Sequence, residues 1–170
     1  GGLFAIFANS LQMSAVFGLF RWSKRKFKGA LPYIFLMVTW IAWERFYFDA
    51  EISWPWLVLG NAFARSIGSI QWYEITGTLG GSLWVWATNL SIFGLLVSLS
   101  DGSWFRFNTK AKSAAITGTI LLIAGPFAAS AVIGSRHKDA MVSDRELETV
   151  IIQPNIDPYN KFQALTQDQQ

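Results

Sequence analysis

The sequence contains no cysteine, which excludes disulfides, thiolate metal sites and a cysteine nucleophile within its 170 residues. Its one histidine, His137, lies in a basic segment and is predicted to be a solvated linker residue. Only 15% of the residues are charged, and the acidic ones are scattered without the spacing of metal ligands. No glycine-rich phosphate loop is present. The segment is therefore predicted to hold no catalytic residues, no metal and no cofactor.

Apolar residues are abundant instead: 52% of the chain is hydrophobic and 16% is aromatic, with nine Trp. Soluble domains of ordinary composition carry more charge than this. Four apolar runs, at about 3–20, 31–48, 75–99 and 113–133, are 18 to 25 residues long. A helix of that length crosses about 30 Å of hydrocarbon. The pattern predicts an all-α polytopic membrane helix bundle of about four spans, within a transmembrane domain over 1–135.

Basic residues are concentrated in two of the three connections between these runs. Lys and Arg accumulate on cytoplasmic loops, so both connections are predicted to lie inside. The loop 49–72 and the C-terminal tail are then predicted to lie outside. Because this topology accounts for the basic residues, the net charge of +3 does not indicate a nucleic-acid partner. The basic residues concerned are Arg21, Lys24, Arg25, Lys26, Lys28, Arg106, Lys110 and Lys112.

The tail differs in character from the rest of the chain. A charged linker is predicted over 136–148, and the β-branched run 149–153 is typical of a short strand. A strand needs neighbours to satisfy its backbone groups, so we expect 149–170 to open a further α/β domain that this chain truncates.

Three features inside or beside the spans allow a choice of interpretation. Trp54, Pro55 and Trp56 belong either to an aromatic belt at the headgroup level or to a surface that admits lipid chains. Asn89 either bonds between helices or lines a lipid-facing cavity. The spacing of Gly77 and Gly81 predicts close packing of the third helix against a neighbour.

Two motifs make the chain resemble a known family. A Glu near a span end precedes an aromatic-Pro-Trp and a Leu-x-x-Gly, and Gln-Trp-Tyr-Glu-x-x-Gly-x-x-Gly follows at 71–80, with Asn89 in the next helix. The tail then carries Gln-Pro-Asn-Ile at 153–156 and Lys-Phe at 161–162. In this order the motifs resemble the apolipoprotein N-acyltransferases. Ser53 stands where the family often has Gly, and Phe162 where many members have Trp.

The resemblance implies a membrane helix bundle that carries an outward-facing nitrilase-like domain in a bacterial inner membrane. The implied reaction moves an acyl chain from a phospholipid to the N-terminal diacylglyceryl-cysteine amine of an apolipoprotein, through a Cys thioester. In this family the catalytic Glu, Lys and Cys follow the first strand, so we expect them beyond Gln170 and expect this segment to be inactive alone.

The same resemblance implies roles for particular residues. The lipid entrance would be shaped by Glu44, Trp54, Pro55, Trp56 and Gly60, and the start of the catalytic domain by Gln153, Asn155 and Phe162, with Phe162 near the lipid substrate. Two other classes remain open, a non-catalytic membrane anchor or assembly subunit and, with less support, a transporter. A transporter is disfavoured because no span carries a buried charge pair or repeated interrupted helices.

Overall fold

The computed structural model describes residues 2–50, 57–140 and 150–151, with the backbone alone at 138–140. Its long helices are α1 (Gly2–Lys26), α2 (Leu31–Phe48), α3 (Tyr73–Ser100) and α4 (Thr109–Ala140). Short 3-10 helices cover Leu59–Phe63 and Ile67–Ser69 between α2 and α3, and Ser103–Arg106 between α3 and α4. All the regular structure in these ranges is helical, which confirms the predicted all-α character.

Three of the described helices are long and apolar enough to cross a membrane: Gly2–Lys26, Tyr73–Ser100 and Thr109–His137. The second predicted span forms a helix with the predicted bounds, yet α2 is not among these candidates. The cause is its composition, because its 18 residues include Glu44 and Arg45 together with several Tyr and Trp. Length and composition therefore show three candidate spans among the described residues, and the fourth predicted span is not shown.

The predicted strand at 149–153 is also not shown. Val150 and Ile151 are its described residues, and both are exposed and without regular secondary structure. A strand needs a neighbouring strand to pair with, and the described part of the chain contains none. The rest of the segment 149–170 and most of the predicted linker lie outside the described residues, although α4 continues through residues 136–140.

The first two helices share a small apolar core with polar contacts nearer one end. Val16 of α1 packs with Leu36 and Trp40 of α2. Closer to the end of α2, the Tyr47 hydroxyl donates to Asn9 Oδ1 at 2.6 Å. Helices in lipid are held by such packing and hydrogen bonds rather than by water exclusion. Since α2 also contacts α3, it forms an inner element of the described bundle.

Hydrogen bonds from side chains attach α4 to its neighbours. The Trp84 indole of α3 donates to the Leu122 carbonyl at 2.7 Å. The Ser91 and Thr119 hydroxyls lie 2.7 Å apart, near the middle of the same two helices. These bonds satisfy polar groups that lipid cannot satisfy.

The C-terminal part of α4 contacts the connection between α2 and α3 and the first turn of α3. The buried Ser130 hydroxyl donates to the Ser69 carbonyl at 2.7 Å, which joins α4 to the connection between α2 and α3. His137 Nε2 lies 2.8 Å from Glu74 Oε2, with both side chains exposed. The histidine predicted to be in a linker is thus part of the helix, which extends about 10 Å beyond Ile133 at 1.5 Å per residue.

Candidate functional site

A fully buried carboxylate joins α2 to the connection that follows it. Glu44 lies one turn before the end of α2 and is 0% exposed. Its Oε1 accepts a hydrogen bond from Trp40 Nε1 at 2.9 Å and another from the Leu59 backbone N–H at 2.9 Å. Hydrogen bonds offset the cost of burying a charged or polar group. Glu44 therefore holds both its own helix and a chain segment 15 residues away.

The second carboxylate oxygen of Glu44 is also buried, and it has no hydrogen-bond partner among the described residues. A carboxylate can accept about four hydrogen bonds, and a buried acceptor left alone costs roughly 1–3 kcal/mol. This oxygen can accept a further donor from water, from a substrate or from a part of the chain that the structure does not describe.

Gly60, which follows Leu59 in the connection between α2 and α3, forms hydrogen bonds to α3 through both its N–H and its carbonyl. Its N–H donates to the Ser82 hydroxyl at 2.8 Å, and its carbonyl accepts from the Tyr73 hydroxyl at 2.8 Å. A Cβ added at Gly60 would overlap the carbonyl oxygen of Thr78. Only glycine permits this close approach of the connection to the backbone of α3. We call Glu44, Leu59, Gly60, Tyr73 and Ser82 the loop anchor.

A break in α3 lies beside the loop anchor. Gly77 has φ 64° and ψ −174°, so the helix is interrupted there, one residue before Thr78. The positive φ favours glycine for conformational reasons. A Cβ added at Gly77 meets no atom within 4 Å, so the predicted close packing against a neighbouring helix is not found at this residue. A Cβ at Gly81 would overlap the Tyr73 hydroxyl, but Tyr73 belongs to α3 itself, so this close contact lies within the helix and not against a neighbour.

Apolar clefts flank the loop anchor along α3. One of about 260 Å³ is lined by Trp40, Leu59, Val85, Trp86 and Asn89. Asn89 also lines a neighbouring cleft of about 220 Å³, and its amide donates to the Val85 carbonyl of its own helix at 2.8 Å. Of the two interpretations of Asn89, the described contacts favour the cavity lining over a bond between helices.

The structure brings together two of the predicted site residues, Glu44 and Gly60, through the consecutive Leu59–Gly60 backbone. Tyr73 and Ser82 were missed as members of the site. Tyr73 stands inside the Gln-Trp-Tyr-Glu motif, which could have suggested it, whereas nothing in the sequence singles out Ser82. Outside the described residues lie Trp54, Pro55, Trp56, Gln153, Asn155 and Phe162.

Comparison with known families gives a match over the part of the chain that contains the loop anchor. The family model described as "Apolipoprotein N-acyltransferase N-terminal domain" matches residues 2–91. The chain belongs to this family. The resemblance first seen in the motifs is thereby confirmed, and the N-acyltransferase match includes α1, α2 and most of α3.

A curated relative extends the similarity beyond the family match. The chain is 26% identical over 167 residues to a protein of Chlorobaculum tepidum named "Apolipoprotein N-acyltransferase". That alignment covers 97% of this chain and 30% of the relative. The chain thus spans less than a third of the length of the N-acyltransferase that it matches. No solved structure matches it significantly.

Proposed function

We propose that this chain is the membrane part of an enzyme that acylates lipoproteins. The acyl donor would be a phospholipid, and the acceptor the α-amino group of a diacylglyceryl-modified N-terminal cysteine. The observation that carries the proposal is the family match over residues 2–91, which includes Glu44, Gly60 and Tyr73. The name of the Chlorobaculum tepidum relative, aligned with nearly the whole chain, supports the same reaction class.

The proposed chemistry has two acyl transfers. A Cys thiolate attacks the phospholipid ester, the acyl group forms a thioester, and the lysophospholipid leaves with a proton. A Glu acts as general base, and a Lys stabilises the oxyanion. The lipoprotein amine then attacks the thioester and gives one proton to the Glu, which forms the amide and releases the thiolate. Because this chain has no cysteine, the nucleophile belongs to a segment outside its 170 residues, and the chain alone would be inactive.

The role proposed for this chain is to hold the lipid entrance at the membrane surface. The loop anchor keeps residues 59 and 60 against α2 and α3, and the residues Trp54, Pro55 and Trp56 precede it by a few positions. Both substrates are lipids, so a fixed apolar surface beside the bilayer would position them for transfer. Gln153, Asn155 and Phe162 are proposed to open the nitrilase-like domain that carries the reaction.

We also propose a four-span arrangement in the bacterial inner membrane. The α1–α2 and α3–α4 connections would face the cytoplasm, and the loop 49–72 and the C-terminal tail the periplasm. The basic residues of these two connections support this orientation. The contact of α2 with both α1 and α3 supports a spanning α2, since an inner helix needs less apolar surface than one that faces lipid.

The proposed function is tested by mass spectrometry of a lipoprotein N-terminus. The full-length protein, reconstituted with phospholipid and a diacylated lipoprotein, should add one further acyl chain to the N-terminal amine. The chain of 170 residues, tested in parallel, should add none. A well-folded full-length protein that leaves the lipoprotein diacylated would contradict the proposal and favour a non-catalytic membrane subunit.

Replacing Trp56 by Ala in the full-length protein tests the lipid-entrance role. We expect acyl transfer to fall by at least about tenfold, because a large aromatic contact with lipid is lost, while abundance and thermal unfolding stay unchanged. Trp22→Ala is the control, since Trp22 is a half-exposed aromatic at the basic end of α1. A fall in abundance with normal turnover would instead assign Trp56 to an aromatic belt.

A further inference from the structure

Another apolar groove, separate from the two clefts beside the loop anchor, lies far from that anchor. Its volume is about 580 Å³, within the range of about 300–1,000 Å³ typical of small-molecule sites. The start of α2 and the end of α3 form its walls. Tyr33 precedes Glu44 by 11 residues of α2, or about 16 Å along the helix axis. The groove and the loop anchor therefore lie at opposite ends of α2. The apolar lining includes Tyr33, Ile34, Leu90, Phe93 and Val97.

Two lysines lie near one end of this groove. The Lys24 ammonium lies 5.6 Å from the centroid of the Tyr33 ring, which is part of the wall. Lys112 lies 5.9 Å from the Trp104 ring, in the 3-10 helix whose first residue, Ser103, also lines the groove. A lysine ammonium has three donors and can bind an anion while it contacts a ring.

The acidic residue at this end is already engaged. Asp101 lines the groove and is the one acid in the two basic connections. Its carboxylate accepts from the Ser103 N–H at 2.8 Å. Hydrogen bonds from the side chain and backbone of Ser103 lower the pKa of Asp101, so it carries one negative charge at neutral pH. Lys24 and Lys112 near the groove outweigh this single negative charge, so the three groups together carry a net positive charge.

We propose that this groove binds one acyl chain of an anionic phospholipid, whose phosphate lies beside Lys24. The apolar walls suit the chain, and the surrounding cations suit the headgroup. A zwitterionic lipid or another helix of the full-length protein could fill the walls, but neither would match the excess of positive charge. This lipid lies at the end opposite the proposed acyl-transfer site, so it is a bound component of the fold and is not consumed.

Photolabelling of the full-length protein in nanodiscs tests the proposal. The probes are phosphatidylglycerol and phosphatidylcholine, each with a diazirine on an acyl chain, and labelled peptides are mapped by mass spectrometry. We expect labels on residues 29–34 and 90–98, with about fivefold preference for phosphatidylglycerol, which corresponds to about 1 kcal/mol for one lysine at a membrane surface. Lys24→Gln should remove the preference. Lys26→Gln, in the same last turn of α1, should keep most of it.

A second pair of variants tests the groove itself. A Cβ added at Gly94 meets no atom within 4 Å, so Gly94→Leu can place its side chain in the groove without a backbone clash. It should abolish the labelling, whereas Gly118→Leu, at an equally open position of α4, should not. Equal labelling by the two lipids, equal effects of the two lysine variants, or no label in the wild type would each overturn the proposal. If Gly94→Leu fails to fold, the comparison of Lys24→Gln with Lys26→Gln still tests the proposal.

Discussion

Replacing Glu44 by Ala is expected to have the largest effect on stability among the described residues. The change leaves the Trp40 indole and the Leu59 N–H without their acceptor in a buried setting. Each such loss costs about 1–3 kcal/mol, so the free energy of unfolding should fall by about 2–6 kcal/mol. Thermal unfolding of the full-length protein in detergent measures this, and acyl transfer should be lost with it.

Two further variants test whether the lost hydrogen bonds of Glu44 cause the fall in stability. Glu44→Gln keeps an acceptor oxygen for both donors and should lose much less stability than Glu44→Ala. Glu74→Ala is the matched control, because Glu74 is an exposed carboxylate that contacts His137. Exposed pairs of this kind contribute about 0–1 kcal/mol. If Glu44→Ala and Glu74→Ala unfold at the same temperature, Glu44 does not hold the connection to α2.

Gly60→Ala is expected to have the second large effect. The added methyl group would overlap the Thr78 carbonyl, so the connection must move away from α3 and strain the bonds to Ser82 and Tyr73. Overpacking of this kind costs about 1–3 kcal/mol, occasionally more. We expect lower stability and, in the full-length protein, lower acyl transfer.

Gly68→Ala provides the matched comparison for Gly60→Ala. Gly68 belongs to the same connection, yet a Cβ there meets no atom within 4 Å. Its variant should unfold within about 0.5 kcal/mol of the wild type, as surface substitutions usually do. Equal stability of the two alanine variants would show that the approach of Gly60 to α3 is not required.

The helices were largely predictable because their apolar runs are continuous. The bounds predicted for α2, 31–48, are those observed, and the other three helices contain their predicted runs. The fourth span is not shown by length and composition, because polar residues lie within the apolar run of α2. Glu44 lowers the hydropathy of α2 and is also the residue that the structure places at the centre of the loop anchor.

The site was predictable only in part, because its bonds join residues distant along the chain. Resemblance to a family indicated Glu44 and Gly60, but no spacing rule joins Gly60 to Ser82, 22 residues later. For Gly77, by contrast, the sequence pattern predicted a helix contact that the structure does not contain. Its spacing from Gly81 fitted a helix-packing motif, whereas its backbone has a positive φ that ends the regular helix. Sequence spacing does not specify backbone dihedral angles.

The length of α4 has a mechanical consequence for whatever is joined to it. A helix is much stiffer than a linker, so the turns between Ile133 and Ala140 act as a rigid spacer rather than as a tether. The Ser130–Ser69 bond fixes the base of this spacer to the α2–α3 connection. Deleting one turn after Ile133 would shorten α4 by about 5.4 Å.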